Sequence, residues 1–205
     1  MAAPAPGGSG CVAGPAGSGG GVGDVRNVSS VRAVVEIGRG TNAPTSFGTA
    51  VGLGVNASSN YFGTAIVACG DRDGDGVAEL LVGAWGYDNG GVGDSGGVFL
   101  VWLARNGTMV SFVLWRVGSS VVPAAFNSSV IPAGSDFGWS VGCGGDFDGD
   151  GVWDGVVGAP NLGTVYVYVV WVGGGGEMRS FVRVGGLNAS VAPASGDWFG
   201  NGVWV

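Results

Sequence analysis

A nine-residue acidic segment that occurs twice constrains the fold of this chain more than any other feature. The copies run from Asp71 to Glu79 and from Asp146 to Asp154, 75 residues apart. Both carry acidic residues at positions one, three, five and nine, and glycines at positions four and six. Because glycine adopts positive φ without steric cost, each segment predicts a sharply turned loop that gathers its carboxylates, Gly76 and Gly151 making the turn. Such closely spaced carboxylates repel one another strongly unless a cation lies between them.

The chemistry of these loops predicts two calcium sites. Hard divalent cations such as Ca²⁺ take six to eight oxygen ligands, and a flexible loop can gather them. The four carboxylates of each loop and the backbone carbonyl at position seven supply such oxygens. The predicted ligands are Asp71, Asp73, Asp75, Val77 and Glu79 in the first loop, and Asp146, Asp148, Asp150, Val152 and Asp154 in the second.

Two other interpretations of the loops compete with calcium binding. An EF-hand requires a bidentate Glu at position twelve between two helices, whereas position twelve is Val82 or Val157 here and the flanks are β-type runs. The interpretation as an Asp/Gly-rich surface turn that binds nothing remains an alternative, although two copies with shared spacing and flanks argue against it. Glu79 is one methylene longer than Asp154, so the first site is the less regular of the two.

Composition excludes several classes of function. Eight of the 15 acidic residues lie in the two loops, so the net charge of −7 belongs to them, and eight arginines nearly balance the remaining seven. No basic patch is present to bind nucleic-acid phosphates. The chain contains no histidine, which removes the commonest general base and a common zinc ligand and excludes a serine triad. The 46 glycines partly reflect biased codon usage, so single glycines carry little weight.

The cysteines, the sequons and the hydropathy of the chain indicate in which cellular compartment the protein acts. Three cysteines without a CxxC pair predict no disulfide framework, and Cys69 and Cys143 are interpreted as small buried strand residues. No apolar run is long enough for a membrane span, and no secretory signal is visible at the start of the chain. Five sequons fit a secreted glycoprotein, with their acceptors at Asn27, Asn56, Asn106, Asn127 and Asn188.

The flanks of the loops define two units of four short strands each. The first unit predicts strands at 64–69, 78–85, 97–104 and 109–117, and the second at 139–143, 155–159, 164–172 and 178–184. The chain is accordingly divided into a Gly/Ala/Pro-rich lead-in at 1–23, a partial unit and connecting loop at 24–61, two whole units at 62–136 and 137–198, and the start of a further unit at 199–205.

Four antiparallel strands per repeating unit predict an all-β chain built from β-propeller blades. A β-sandwich is the alternative, but it would not explain a repeating loop. One or two strands are expected within 25–37, and no helix is predicted anywhere. The stretch from Phe47 to Val51 resembles Phe62 to Ile66, and we interpret it as a local duplication in a connecting loop rather than a degenerate repeat start.

Beyond their loops, the units resemble the FG-GAP repeat of integrin α-subunit β-propellers. The second unit carries Phe137-Gly138 and Gly158-Ala159-Pro160, and the first carries Phe62-Gly63 and Gly83-Ala84-Trp85, with Trp in place of Pro. The resemblance covers about residues 60–205 and implies a fragment of a seven-bladed propeller, or a partial propeller. It also implies that calcium binds in the loops between the first and second strands.

The resemblance favours a non-catalytic, calcium-stabilised module for extracellular protein binding or cell adhesion. In this family, partners bind one face of the propeller, and Trp85 and Trp139 are candidates for that face or, alternatively, aromatics that pack blades together. An accessory domain of a larger secreted enzyme, such as a phospholipase, is the second hypothesis. Catalysis by the chain itself is the third, but no His or Lys stands near the clustered carboxylates, and no nucleotide-binding loop is present.

Overall fold

Nearly all regular structure in the described part of the chain is β-strand. The computed structural model describes residues 35–37, 42–50, 60–88, 93–160, 166–185 and 202–203. The predictions for the lead-in at 1–23, for strands at 25–34, for Cys11 and for most of the further unit at 199–205 lie outside these residues. Residues 35–37 are described and form no strand.

In the described part of the chain, eight strands form two four-stranded antiparallel sheets. The first sheet contains β1 (Ile66–Ala68), β2 (Leu80–Ala84), β3 (Gly97–Leu103) and β4 (Met109–Trp115). The second contains β5 (Ser140–Gly145), β6 (Asp154–Ala159), β7 (Tyr166–Val172) and β8 (Met178–Gly185). Each sheet keeps its strands in chain order. For the described residues, the prediction of two four-stranded antiparallel units is therefore confirmed, and their structure is nearly all-β.

The strands follow from β-branched and aromatic residues that alternate between two faces. In β7, for example, Tyr166, Tyr168 and Val170 are buried while the residues between them are half-buried. The register shifts between Trp102 and Leu103 in β3 and at the equivalent step, Trp171 to Val172, in β7. The repeated sequence thus produces a repeated irregularity as well as repeated strands.

The two glycine motifs of each unit meet through one hydrogen bond. In the first unit the Gly63 backbone N–H donates to the carbonyl of Gly83 over 3.0 Å. In the second the Gly138 N–H donates to the carbonyl of Gly158 over 3.1 Å. The segment that precedes β5 also pairs with the first unit, since Phe137 forms a parallel bridge with Gly96. Each unit therefore begins against its own second strand, and the second unit begins against the first.

The two sheets pack face to face around one apolar core. Leu81 and Trp115 of the first sheet lie against Gly155 of the second, where a Cβ atom would be 3.5–3.6 Å from their side chains. Tyr168 and Val157 belong to the same core and are fully buried. Burial of side chains of this size contributes about 1.5–3 kcal/mol each. The inner strands β1 and β5 are neighbours in this arrangement.

The opposite face of the first sheet is covered by a short helix, although no helix is predicted from the sequence. Residues Thr45–Ala50 form α1, so the expectation that the chain contains no helix is wrong. Phe47 is buried and meets Phe62, Phe99 and Phe112 at ring-centroid distances of 5.1–5.9 Å. Tertiary packing, rather than helix propensity, therefore stabilises these six residues. Among the described residues, no helix has the length and apolar character needed to cross a membrane.

A disulfide joins Cys69 to Cys143, which corrects the expectation that these cysteines are unpaired. Both are buried as expected, and Cys143 lies within β5. They occupy positions of the repeat that differ by one residue, yet their Cα atoms are 5.4 Å apart, within the range for a disulfide. The pairing depends on the approach of β1 to β5, which spacing along the sequence does not reveal.

Candidate metal centre

Both acidic segments connect the first two strands of their sheet, and both are organised by the Asp at position one. The Asp71 carboxylate accepts hydrogen bonds from the backbone N–H groups of Gly74 and Gly76, each over 2.8 Å. The equivalent bonds of the second loop run to Asp146 from Gly149 over 2.6 Å and from Gly151 over 2.7 Å. The two loops therefore share one scaffold, as their common spacing predicted.

The glycines and the middle carboxylates complete this scaffold. Gly76 and Gly151 have φ values of 83° and 86°, which confirms the predicted turn at position six. Carboxylates at positions three and five each accept the backbone N–H two residues further on. These acceptor–donor pairs are Asp73 with Asp75, Asp75 with Val77, Asp148 with Asp150, and Asp150 with Val152. Short polar side chains stabilise turns in this way.

Three carboxylates converge in each loop. In the first loop, Asp71, Asp73 and Glu79 each place one oxygen within 4.8 Å of the other two. In the second loop, Asp146, Asp148 and Asp154 do the same. The residues at positions one and three are exposed, whereas the residue at position nine is buried in both loops. Each cluster therefore joins a solvent-facing pair of carboxylates to a buried one.

Glu79 is the buried member of the first cluster, and one of its oxygens has no hydrogen-bond partner. Its exposed fraction is 0%. Oε2 accepts the backbone N–H of Arg72, but Oε1 is buried without a partner. Burial raises the pKa of Glu79 above its ordinary value, and the neighbouring carboxylates of Asp73 and Asp71 add to the rise, while the hydrogen bond from Arg72 opposes it. A buried carboxylate oxygen in this state is costly unless a donor or a cation faces it.

Asp154, the equivalent residue, has both oxygens satisfied. Oδ2 accepts the Phe147 N–H and Oδ1 accepts the Val172 N–H, each over 2.9 Å. Burial nevertheless raises its pKa, against the two backbone donors. At the exposed end of the cluster, backbone donors led by Gly151 lower the pKa of Asp146. The two clusters therefore share a shape but differ in how well their deepest carboxylate is satisfied.

The remaining predicted ligands lie beside the clusters rather than within them. Asp75 and Asp150 are not members of the converging groups. The Asp150 side chain instead forms an ion pair with Arg179, and the Asp75 backbone carbonyl accepts from Arg105 over 2.7 Å. Val77 and Val152 are half-buried at position seven, and ligation by their carbonyls stays a prediction.

Arg72, at position two of the first loop, was not singled out from the sequence. Its guanidinium donates to the carbonyls of Trp153 over 2.7 Å and Gly173 over 2.8 Å, both in the second unit. Burial lowers its pKa, while the charges of Glu79 and Asp154 oppose that change. At this position the sequence shows only that Phe147 takes the place of Arg72 in the second loop. That substitution does not show where the Arg72 side chain reaches.

The tryptophans proposed for a partner-binding face lie at the other end of the sheets. Trp85 directly follows β2, whose opposite end receives the first loop, and Trp139 directly precedes β5. Their ring centroids are 5.0 Å apart, and the half-exposed Tyr61 stacks on Trp85 at 4.1 Å. Both tryptophans are half-buried, so they contribute to packing between the units and also to the surface.

The donor set of the two clusters is suited to a hard cation. All converging atoms are carboxylate oxygens, the chain has no imidazole, and Cys69 and Cys143 are oxidised to a disulfide. Oxygen ligands of this kind favour Ca²⁺, Mg²⁺ or Mn²⁺ over Zn²⁺ or Cu²⁺. No protein-family model matches the chain, and no curated protein shows significant similarity to it.

Proposed function

We propose that this chain is a calcium-binding module, with one ion held in each acidic loop. The single observation that carries the proposal is Glu79, a fully buried carboxylate whose Oε1 lacks a partner next to Asp71 and Asp73. A cation at that point would provide the missing partner and would relieve the repulsion among the three carboxylates. Three carboxylates likewise converge around the buried Asp154, in a loop with the same scaffold.

Calcium fits the donors better than magnesium. Three carboxylates converge in each loop, and they supply up to six oxygens if each binds in bidentate fashion. Ca²⁺ accepts six to eight oxygens in flexible geometry, whereas Mg²⁺ requires a near-ideal octahedron and keeps several waters. We assign the remaining ligand positions to Asp75 and the Val77 carbonyl in the first loop, and to Asp150 and the Val152 carbonyl in the second.

We further propose that the two units are FG-GAP blades of a β-propeller. The face of the first sheet that carries Leu81 packs on the face of the second that carries Val157, and these two residues differ by one strand position in the repeat. Opposite faces of successive units therefore meet, as in radial stacking of blades. The next face in the series, which includes Val156 and Val182, is partly exposed and would receive a further blade.

The module acts outside the cell in protein binding or adhesion, without catalysis, in this proposal. The Cys69–Cys143 disulfide fits an oxidising compartment. Asn106 and Asn127, the two sequon acceptors in the described residues, are both exposed and therefore accessible to glycosylation. The aromatic group formed by Tyr61, Trp85 and Trp139 offers a surface for a protein partner, since aromatic residues are enriched in interfaces.

A calcium titration of the full 205-residue chain by calorimetry tests the metal assignment. We expect two ions per folded chain, and one ion in each of the variants Asp73→Asn and Asp148→Asn. Asp88→Asn, which alters an exposed acid outside both clusters, is the matched control and should leave the stoichiometry at two. Magnesium titrated in the same way should bind more weakly.

Circular dichroism reports whether each variant is folded before the titration is interpreted. Saturable binding that each loop variant halves would support the proposal. A folded chain that binds no calcium would overturn it, and so would binding that persists at two ions in both loop variants.

A further inference from the structure

We propose that Arg72 couples the two acidic loops, so that a cation bound in one loop raises the affinity of the other. This inference rests on the proposed function, because it concerns the same two sites. It assigns Arg72 a positioning role between the sites, and not the role of a ligand.

The backbone of Arg72 is tied to the first cluster. Its backbone N–H donates to Oε2 of Glu79, the buried residue whose other oxygen lacks a partner. Any cation that draws Glu79 toward Asp71 and Asp73 must therefore act on the backbone of Arg72. The side chain that leaves this backbone is half-buried and held at its far end.

The guanidinium of Arg72 reaches the second unit. It donates to the carbonyls of Trp153 and Gly173 over 2.7 and 2.8 Å. Trp153 directly precedes Asp154, and Gly173 directly follows Val172, whose N–H donates to Oδ1 of Asp154. The guanidinium thus binds one backbone group on each side of the hydrogen bond that places the buried carboxylate of the second cluster.

Further contacts keep the two loops close enough for this tether to act. A Cβ atom at Gly70, the residue before the first loop, would lie 3.1–3.2 Å from the indole of Trp153. A cleft of about 100 Å³ separates the loops and is lined by Asp71, Arg72 and residues 151–153. The Cys69–Cys143 disulfide joins the two chain segments that lead into the loops.

The expected sign of the coupling is positive. A cation in the first loop restricts Glu79 and the Arg72 backbone, and the guanidinium then restricts Trp153 and Gly173. Because this ordering has already occurred, the second ion loses less conformational entropy when it binds. Linkage requires the reciprocal effect of the second site on the first to be equal. Direct repulsion between the two bound ions acts in the opposite direction but is screened, since the loops are exposed to solvent and salt.

The test compares calcium affinities when the neighbouring loop is intact and when it is disabled. Asp148→Asn leaves the first site alone, Asp73→Asn leaves the second, and the wild-type chain contains both. We expect each isolated site to bind at least about 5-fold more weakly than the same site beside an occupied neighbour, the lower end of typical coupling between sites. The same calcium affinities are then measured for these three chains with Arg72→Lys added. This substitution keeps the positive charge but loses the planar guanidinium that reaches two carbonyls.

Arg105→Lys provides the matched control for Arg72. Arg105 also donates to the first loop, at the Asp75 carbonyl, and no hydrogen bond of its side chain to the second unit is among its described contacts. We expect Arg72→Lys to reduce the coupling to less than about 2-fold and Arg105→Lys to leave it at or above about 5-fold. Arg72→Gln, which also removes the charge, should reduce it in the same way while altering the affinity of the isolated first site.

The outcomes separate this inference from the function on which it rests. Absence of calcium binding in the folded chain would overturn both. Two ions that bind with the same affinities whether or not the neighbouring loop is intact would overturn the coupling and leave calcium binding in place. Coupling that persists in both Arg72 variants would remove Arg72 from the explanation.

Discussion

Cys69 and Cys143 are bonded to each other across the two sheets, directly before the loops that hold the candidate metal clusters. Cys69 lies one residue after β1, and Cys143 lies inside β5. The bond joins residues with a sequence separation of 74. It therefore strongly reduces the conformational freedom of the unfolded chain. It holds the two inner strands together at the point where both acidic loops begin.

Removal of this disulfide should destabilise the chain. We expect Cys69→Ala with Cys143→Ala to lower the free energy of unfolding by about 2–4 kcal/mol, because the unfolded chain regains the entropy of a long open loop. Urea denaturation followed by fluorescence measures the change. Cys11→Ala, which alters the cysteine outside this bond, should leave the midpoint unchanged. Equal midpoints for the double variant and the wild type would contradict the structure.

Glu79 should reduce stability at neutral pH when calcium is removed by a chelator. Its charge is buried and one oxygen lacks a partner, so Glu79→Gln should raise the free energy of unfolding by about 1 kcal/mol under these conditions. Asp154→Asn should instead lower it by about 1–3 kcal/mol, because both of its oxygens accept backbone N–H groups. Similar effects of the two substitutions would show that the clusters do not differ in this way. With calcium present, both substitutions should reduce stability.

The destabilisation that Glu79 causes should decrease as pH falls. Since burial raises its pKa above the ordinary value of 4.5, the folded chain binds the proton more tightly than the unfolded chain does. The destabilisation is therefore complete above the raised pKa and disappears as pH falls through it toward 4.5. Urea denaturation of wild type and Glu79→Gln in chelator should show a difference that narrows on acidification. A difference that widened on acidification would contradict this explanation.

Gly83 should tolerate no side chain, although its φ is not in the left-handed region. A Cβ atom there would overlap the carbonyl oxygen of Gly138, where the second unit begins against the first. We expect Gly83→Ala to cost about 3 kcal/mol, since backbone must move to relieve the overlap. Gly174→Ala has open space around its Cβ and should be neutral or stabilise by up to about 1 kcal/mol. Thermal unfolding of both variants measures this difference in stability.

Tyr168 should make the fold sensitive to alkaline pH. Burial raises the pKa of its phenol to about 12, whereas the unfolded chain ionises it near 10. The stability that this group contributes is therefore complete below about pH 10 and is lost as pH rises toward 12. Tyr168→Phe should reduce this dependence, at a cost of about 1 kcal/mol for the hydrogen bond to the Val130 carbonyl. Tyr61→Phe, at a half-exposed ring, is the control and should keep the alkaline loss of stability.

The sequence by itself determined the features that depend on neighbours along the chain. The spacing of Asp71, Asp73 and Gly76 predicted a turned loop because glycine adopts positive φ without steric cost and turns the chain within a few residues. Alternating β-branched and aromatic residues predicted strands such as β7 for the same reason. The loop positions, the order of the strands and the grouping into two sheets follow from these short-range rules.

Only the tertiary structure decided which residues meet across the two sheets. The approach of β1 to β5 pairs Cys69 with Cys143, and the reach of Arg72 to Trp153 requires the loops to lie side by side. The apolar face of the first sheet stabilises a helix around Phe47 that its own sequence does not favour. The difference between Glu79 and Asp154 likewise depends on whether the third strand of the sheet offers an N–H group to the buried carboxylate, as Val172 of β7 does for Asp154. Such contacts join residues far apart in sequence, so their energies arise only once the sheets have packed.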